Sequence, residues 1–379
     1  MNIISIEPTP SPNTMKLIMD ESLPSGKSNN YKADNKEEAP DFIRPILEIE
    51  GITGIYHVSD FMALERHPKA EWEGLLAQVR SIFGEDAETK ETTMEMDDAF
   101  GEVQVQLQMF KDIPMQIKVT SGDEEKRKGL PERFQEAAFQ AQTEDDNIVM
   151  QRRWEDHSRR YGDNLDDIAE EAAEETSAAY PKERLHTLVQ LSLSGEENAR
   201  EFEDRFIDVT PEMLDDPDWR SRYAALDKMN PKEKDLPVLE KALHDEKSSV
   251  RRLAVVYIGM IEKPIILPLL RQAMDDKSVT VRRTAADCFS DLGDPAGIPA
   301  MIEALNDKNK LVRWRAAMFL YEVGDETAIE PLRETANDSA FEVALQAGLA
   351  LKRIEEGKQA EGSVWKQMTE KMQEDKMKE

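Results

Sequence analysis

The sequence predicts an α+β protein: a small α/β domain first, then a middle α+β segment, then an α-solenoid of paired helices. Three observations carry that prediction. Asp245, Asp276, Asp307 and Asp338 recur every 31 residues, and Val250, Val281, Val312 and Val343 and Ala254, Ala285, Ala316 and Ala347 keep the same interval. A period of this size with apolar positions at helical spacing marks helix pairs that bury their faces only by stacking. Upstream, Val103, Val105, Leu107 and Met109 alternate with glutamines, the mark of a half-buried strand. Before that, Trp72, Leu75, Leu76, Val79 and Phe83 form a single helical stripe.

In the first domain, residues 1–86, Ile3 to Ile6 and Met15 to Met19 read as extended. Ser22 to Lys36 is polar and rich in Ser, Asn and Gly, and reads as a mobile loop. Ala39, Phe42, Ile43, Ile46 and Leu47 have helical spacing, predicting a helix over residues 38–49. Gly54 to Val58 and Phe61 to Arg66 predict a hairpin around Ser59 and Asp60, and residues 71–83 a closing helix.

Residues 87–99 are acidic and poor in apolar side chains, which makes them the candidate linker. The middle segment, residues 100–180, opens with the alternating strand and repeats the alternation at Met115, Ile117 and Val119 after an Asp112-Ile113-Pro114 turn. Helices are expected at 131–141, 163–177 and 182–193, with Pro131 and Pro181 at their starts, where a missing amide hydrogen costs little. The carboxylate-rich run from Glu144 to Glu175 reads as a solvated face.

Residues 181–215 form a helical lead-in to four or five repeats over residues 216–357. Pro237, Pro268 and Pro299 are placed to open the second helix of successive copies, and Gly293 and Gly324 to end first helices in a left-handed turn. Asp245 precedes Arg251 by six residues, Asp276 precedes Arg282 by six, and Asp307 precedes Arg313 by six. In the last copy Ala344 stands where arginine is due, and that copy reads as a cap with no following neighbour. Residues 358–379 read as a charged helix with a stripe of Trp365, Met368 and Met372.

Composition narrows the function. A net charge of −29 argues against nucleic acid and against an anionic membrane, since both need clustered Lys and Arg. No apolar run approaches the roughly 20 residues that span a bilayer, and Met1 to Pro10 lacks the pattern of a signal peptide, so a cytosolic protein is expected. The single cysteine, Cys288, excludes an intramolecular disulfide and a cysteine-only cluster within one chain, and reads as a small core residue. No nucleophile triad, phosphate-binding glycine loop or metal-ligand spacing accompanies His57, His67, His157, His186 and His244. No cofactor and no catalytic residue is therefore assigned.

The repeat pattern resembles the HEAT family in the shorter form shared with phycobiliprotein-lyase-like repeats. The resemblance implies that Asp245, Arg251, Asp276, Arg282, Asp307 and Arg313 form a ladder between copies, either as stacking alone or while also meeting a ligand. Arg252, Arg283, Trp314 and Arg315 lie beside it in sequence. They form either a basic strip for an acidic or phosphorylated partner, or local pairs with Asp287, Asp291 and Glu322.

The segment Glu7-Pro8-Thr9-Pro10-Ser11-Pro12-Asn13, with Glu50-Gly51-Ile52-Thr53-Gly54 and Ser59-Asp60-Phe61, resembles the NifU/Nfu N-terminal domain, with Ser11 at a position usually Asn. The proline segment is either a scaffold alone or a binding site using Thr9, Asn13, Lys16 and Asp60. That family implies a link to iron-sulfur cluster assembly, although its cluster-bearing Cys-x-x-Cys is missing here. The joining of such a domain to HEAT-like repeats is similar, over its whole length, to the conserved virulence factor C family. The resemblance implies a cytosolic factor that affects virulence or metabolic gene expression indirectly and fixes no molecular mechanism, while the pairing of the two domains points to a non-enzymatic adaptor whose protein partners are unknown and include iron-sulfur assembly components as candidates. Two alternatives stand beside it: a bilin-lyase-like or tetrapyrrole-handling protein, and an iron-binding accessory protein using Asp166, Asp167, Glu170, Glu171 and Glu174.

Overall fold

The computed structural model describes residues 2–9, 11–24, 27–84, 102–162, 164–194 and 206–358. The expected linker at 87–99 and the helix at 358–379, except Lys358 itself, lie outside them. Two compact units result, one drawn from residues up to Glu102 together with those from Gly293 onward, the other spanning Val103–Leu292.

The first unit begins with five strands, β1 (Ile3–Pro8), β2 (Thr14–Met19), β3 (Ser28–Tyr31), β4 (Ile52–Val58) and β5 (Phe61–Arg66), in the antiparallel order β1-β2-β5-β4-β3. Period-two alternation turns Met15, Leu17 and Met19 inward beside Met62 and Leu64. Two helices, α1 (Arg44–Leu47) and α2 (Trp72–Ile82), pack on this core through Ile46, Trp72, Leu75, Leu76 and Val79.

Two expectations change here. The stretch read as a mobile loop contains β3, an edge strand of Ser, Asn, Asn and Tyr that pairs with β4 from Ser28 opposite Val58 to Tyr31 opposite Ile55. Only Tyr31 of it reaches the core, so no apolar alternation announced the strand. The helix expected over 38–49 is one turn long: Pro40 disfavours a helix before it, and Pro45, without an amide hydrogen, fits only the first turn of α1.

The second unit contains β6 (Glu102–Phe110) from Val103 onward, β7 (Ile113–Ser121), β8 (Glu124–Gly129) and β9 (Arg153–Tyr161), ordered β8-β7-β6-β9. Its first two strands turn at Lys111 and Asp112, both at positive φ, not at 112–114. Pro114 lies within β7, opposite the register shift between Gln108 and Met109, where a missing ladder donor is tolerated. Helices α3 (Glu132–Gln140) and α4 (Ile148–Gln151) lie between β8 and β9 in the chain, and α5 (Leu165–Ala179) and α6 (Lys182–Ser194) follow β9. Phe134 of α3, Leu165, Ile168 and Ala172 of α5, and Leu185 and Leu188 of α6 share one core with Val103, Val105, Ile117 and Val119.

The helical repeats of this unit are α7 (Trp219–Asp227), α8 (Leu236–Ala242), α9 (Ser248–Gly259), α10 (Leu267–Met274) and α11 (Val279–Leu292). Those of the first unit are α12 (Ile298–Ala304), α13 (Lys310–Val323), α14 (Ile329–Thr335) and α15 (Phe341–Glu355). Pro237, Pro268 and Pro299 occupy the first turns of α8, α10 and α12. Gly293 adopts the left-handed conformation. Gly324 does not: its φ is −61°, and glycine is needed because a Cβ there would lie 2.4 Å from the Leu320 carbonyl oxygen. Cys288 is buried on α11, its Sγ donating to the Val255 carbonyl at 3.6 Å beside Gly259.

Candidate functional site

The proline segment is held by its own domain. The Thr9 hydroxyl lies 3.0 and 2.9 Å from the carbonyl oxygens of Ser11 and Thr14. Asn13 donates its amide hydrogen to Ser11 Oγ at 3.2 Å, and Trp72 Nε1 donates to the Pro12 carbonyl at 2.8 Å. Thr9 and Asn13 thus share one turn laid over the buried indole of Trp72. Lys16 stands on β2, paired with Glu7 at 2.9 Å and 5.1 Å from the centre of the Phe61 ring. Asp60 belongs to the β4–β5 turn, where its carbonyl accepts from the Met19 amide at 2.7 Å. Burial favours the neutral form of His57, which lies in the core edge-on to Phe42.

In the repeats Arg222, Arg251 and Arg313 each divide the guanidinium between two copies. Arg251 Nη1 donates to the carbonyls of Asp245 and Glu246 in its own copy, at 2.8 and 3.0 Å. Its Nε and Nη2 grip the carboxylate of Asp276 in the next copy, at 2.6 and 2.9 Å. Arg222 repeats this with Asp245, and Arg313 with Asp338. Arg282 Nη1 donates to the Asp276 carbonyl at 2.8 Å. Each aspartate also accepts an amide two residues on: Lys247 for Asp245, Ser278 for Asp276, Asn309 for Asp307 and Ala340 for Asp338. The fork of arginine matches a carboxylate in two parallel bonds, which is why lysine would not serve.

Asp338 shows the balance. Burial raises its proton affinity, and the Arg313 guanidinium with the Ala340 amide outweighs that, leaving the carboxyl below its ordinary range. Arg222 and Asp338 were missed as ladder members, although the 31-residue interval marks Asp338 in the sequence. Arg251→Ala is expected to lower stability by about 1–3 kcal/mol, since it strands the Asp276 carboxylate and two carbonyls. Urea unfolding measures the loss, and amide exchange should quicken between residues 245 and 280 while residues 52–66 keep their protection.

The four residues beside the ladder do not form an open basic strip. Arg283, Trp314 and Arg315 are buried, and Arg283 pairs with Asp287 and stacks 4.5 Å from the centre of the Tyr161 ring. Arg252 Nη2 donates to Glu175 at 2.7 Å. For Arg252 the anionic partner is supplied by the chain's own helix α5, and for Arg283 by Asp287 of its own helix. Glu175 is 2% exposed and bound by both Arg160 and Arg252, while Glu174 reaches Lys247 at 2.7 Å and Glu171 lies 3.4 Å from Arg160.

The carboxylate run is solvated over much of its length, with Glu144, Asp145, Asp156 and Asp167 exposed, and turns inward at Glu175. Asp166 and Glu170 likewise meet Lys126 and Lys128 of β8. Among the described residues no three His, Cys, Asp or Glu side chains converge in a way that could hold a metal ion. No described helix is long and apolar enough to cross a membrane.

The last repeat corrects the expectation of a cap without a neighbour. Phe341 and Leu345 of α15 pack against the core of the five-stranded domain. Glu342 accepts from Arg66 Nη1 at 2.8 Å, and that nitrogen also donates to the Ala70 carbonyl at 2.7 Å. The Arg66 side chain is 1% exposed, its guanidinium 5.2 Å from the centre of the Trp72 ring. Where Ala344 replaces the ladder arginine, the first domain takes the place of a next copy. A groove of about 430 Å³ lies in the same unit, with Ile4 to Glu7 of β1 on one wall and Leu345, Leu349, Lys352 and Arg353 on another.

Three family models match the chain: the N terminal of the scaffold protein Nfu/NifU over residues 4–90, a virulence factor family over 108–189, and HEAT repeats over 207–286 and 266–352. The uncharacterized protein YpgR of Bacillus subtilis (strain 168) is 60% identical over 372 residues, 98% of each chain. Conserved virulence factor C of Staphylococcus aureus (strain MRSA252) is 51% identical over 373 residues, 97% of this chain and 99% of that one. Among solved structures, the crystal structure of protein SAV1430 from Staphylococcus aureus is 42% identical and covers 22% of this chain and 99% of its own, with a TM-score of 0.21.

Proposed function

Given that the chain belongs to the conserved virulence factor C family, we propose that it is a non-catalytic cytosolic adaptor. In this reading the Nfu-type domain meets a component of iron-sulfur assembly or its client, and the repeats hold a second protein. The observation that supports it most is the core shared by the Nfu-type domain and α15, closed by the buried Arg66–Glu342 pair. A domain fused in this way to a repeat is carried at a set angle, which suits the presentation of one bound protein to another. The polar side chains of the ladder and of α5 are committed to holding structure: the arginines grip aspartates, and the acidic helix faces Lys and Arg.

Crosslinking mass spectrometry in living cells, with the full chain as bait, tests the adaptor role. The expected result is crosslinks from residues 2–84 to an iron-sulfur assembly component and from the repeats to a different protein. Crosslinks confined to one partner, or turnover of a small molecule by the purified chain, would overturn it.

A further inference from the structure

The strand order leaves β1 with one neighbour, β2, so the other edge of β1 carries backbone groups unused by the sheet. Four consecutive residues, Ile4, Ser5, Ile6 and Glu7, line the groove. Ile4 lies in a bulge between Ile3 and Ser5, and from Ser5 to Glu7 consecutive side chains point to opposite faces, so a groove touched by all of them runs along the edge itself and not over one face. Ile4 is 66% exposed, an apolar side chain at an edge where natural sheets usually place lysine or proline.

The facing wall has a defined chemistry. Leu345 and Leu349 are one helical turn apart, with Lys352 and Arg353 beyond them in the last turn of α15. The Arg353 guanidinium is fixed by the carbonyls of Leu320, Gly324 and Lys358, at 3.2, 2.5 and 3.1 Å. The groove's two carboxylates are already matched: Glu7 pairs with Lys16 at 2.9 Å, and Glu356 with Lys358 at 2.8 Å. A positive field therefore remains in this groove on a molecule of net charge −29. From Leu345 to Lys352 is seven residues of helix, about 10 Å, the span of about three strand residues.

We propose that this groove takes an extended acidic peptide of a partner protein as a sixth strand beside β1. An apolar side chain of the peptide meets Leu345 and Leu349, and carboxylates two to four residues away meet Lys352 and Arg353. Main-chain bonds to the edge supply affinity, and the alternate side chains select the sequence. The proposal names a ligand chemistry for the first unit and does not require the iron-sulfur reading.

Anisotropy of a fluorescein-labelled eight-residue peptide of alternating valine and glutamate, titrated with the full chain, tests it. The expected result is saturable binding at least tenfold tighter than for the valine-lysine counterpart, with slowed amide exchange at residues 4–7. Lys352 is exposed, so Lys352→Glu should keep the thermal transition while weakening the glutamate peptide at least tenfold. Leu349→Asp should do the same without changing the cation. Equal binding of both peptides, or no protection at residues 4–7, would overturn the proposal. So would protection that appears without peptide as the mass doubles, which assigns the edge to a second copy. Binding seen only after removal of residues 359–379 would assign it to the chain's own segment.

Discussion

Glu175→Ala will destabilise the second unit by about 3–5 kcal/mol, the cost of breaking a buried ion pair from one side. The carboxylate is 2% exposed and holds Arg160 of β9 and Arg252 of α9 together. Its removal leaves two guanidiniums facing each other with no charge between them. Arg160 keeps a weaker contact with Glu171 at 3.4 Å, so Arg252 bears most of the loss. In a unit of this size the fall in the thermal midpoint should be roughly 10 °C by calorimetry. Glu175→Ala with Arg252→Ala should recover part of the loss, because the second change removes the stranded charge.

The same site gives a pH dependence. Burial raises the proton affinity of Glu175, and the two arginines more than reverse this, so its folded pKa is below the ordinary glutamate value. The folded state binds its proton less readily than the unfolded state does. Its contribution to stability is therefore complete above the ordinary carboxylate range and disappears as the pH falls through the depressed folded value. Glu175→Gln should flatten that part of the acid limb in a series of urea titrations.

Arg66→Ala is expected to cost about 3 kcal/mol in the first unit, with faster exchange both at residues 60–82 and at residues 341–355. Burial depresses the proton affinity of Arg66 and Glu342 restores part of it; the guanidinium stays charged, so loss of either partner strands a buried charge. Two of its nitrogens, Nε and Nη2, are buried without a hydrogen-bond partner in the protein. The pair is thus a costly device, and Arg66→Met with Glu342→Leu should leave stability close to wild type or raise it. Thermal melts of the single and double variants decide this. A single variant whose exchange changes only near residue 66 would show that the two segments are not energetically joined.

Legibility in the sequence depended on how local each signal is. The ladder spacing, the strand at 103–109 and the stripe of α2 declare themselves within a window of a few turns, because burial on one face imposes a period. Strands β8 and β9 do not: Glu124 to Gly129 is exposed throughout, and Arg153 to Tyr161 buries only Arg160 fully, so neither carries an apolar alternation. The role of Glu175 was hidden for another reason. It stands among Glu170, Glu171 and Glu174 in sequence, and the two arginines that define it lie 15 and 77 residues away. The ladder arginines were legible as a repeat, but their division between a carbonyl in one copy and a carboxylate in the next needed coordinates. The proline segment was legible by its prolines, and the turn it makes over the indole beneath Pro12 was not.

The junction between the five-stranded domain and α15 joins residues 276 positions apart, Arg66 and Glu342. A ribosome delivers the two sides of that junction many seconds apart at ordinary elongation rates of about 5–20 residues per second. Until α15 emerges, Trp72 and its neighbours have no Phe341 or Leu345 beside them, and Arg66 has no carboxylate. Early termination anywhere in the repeats would release a first domain lacking that cover, so a nascent-chain chaperone has its longest task on the segment made first.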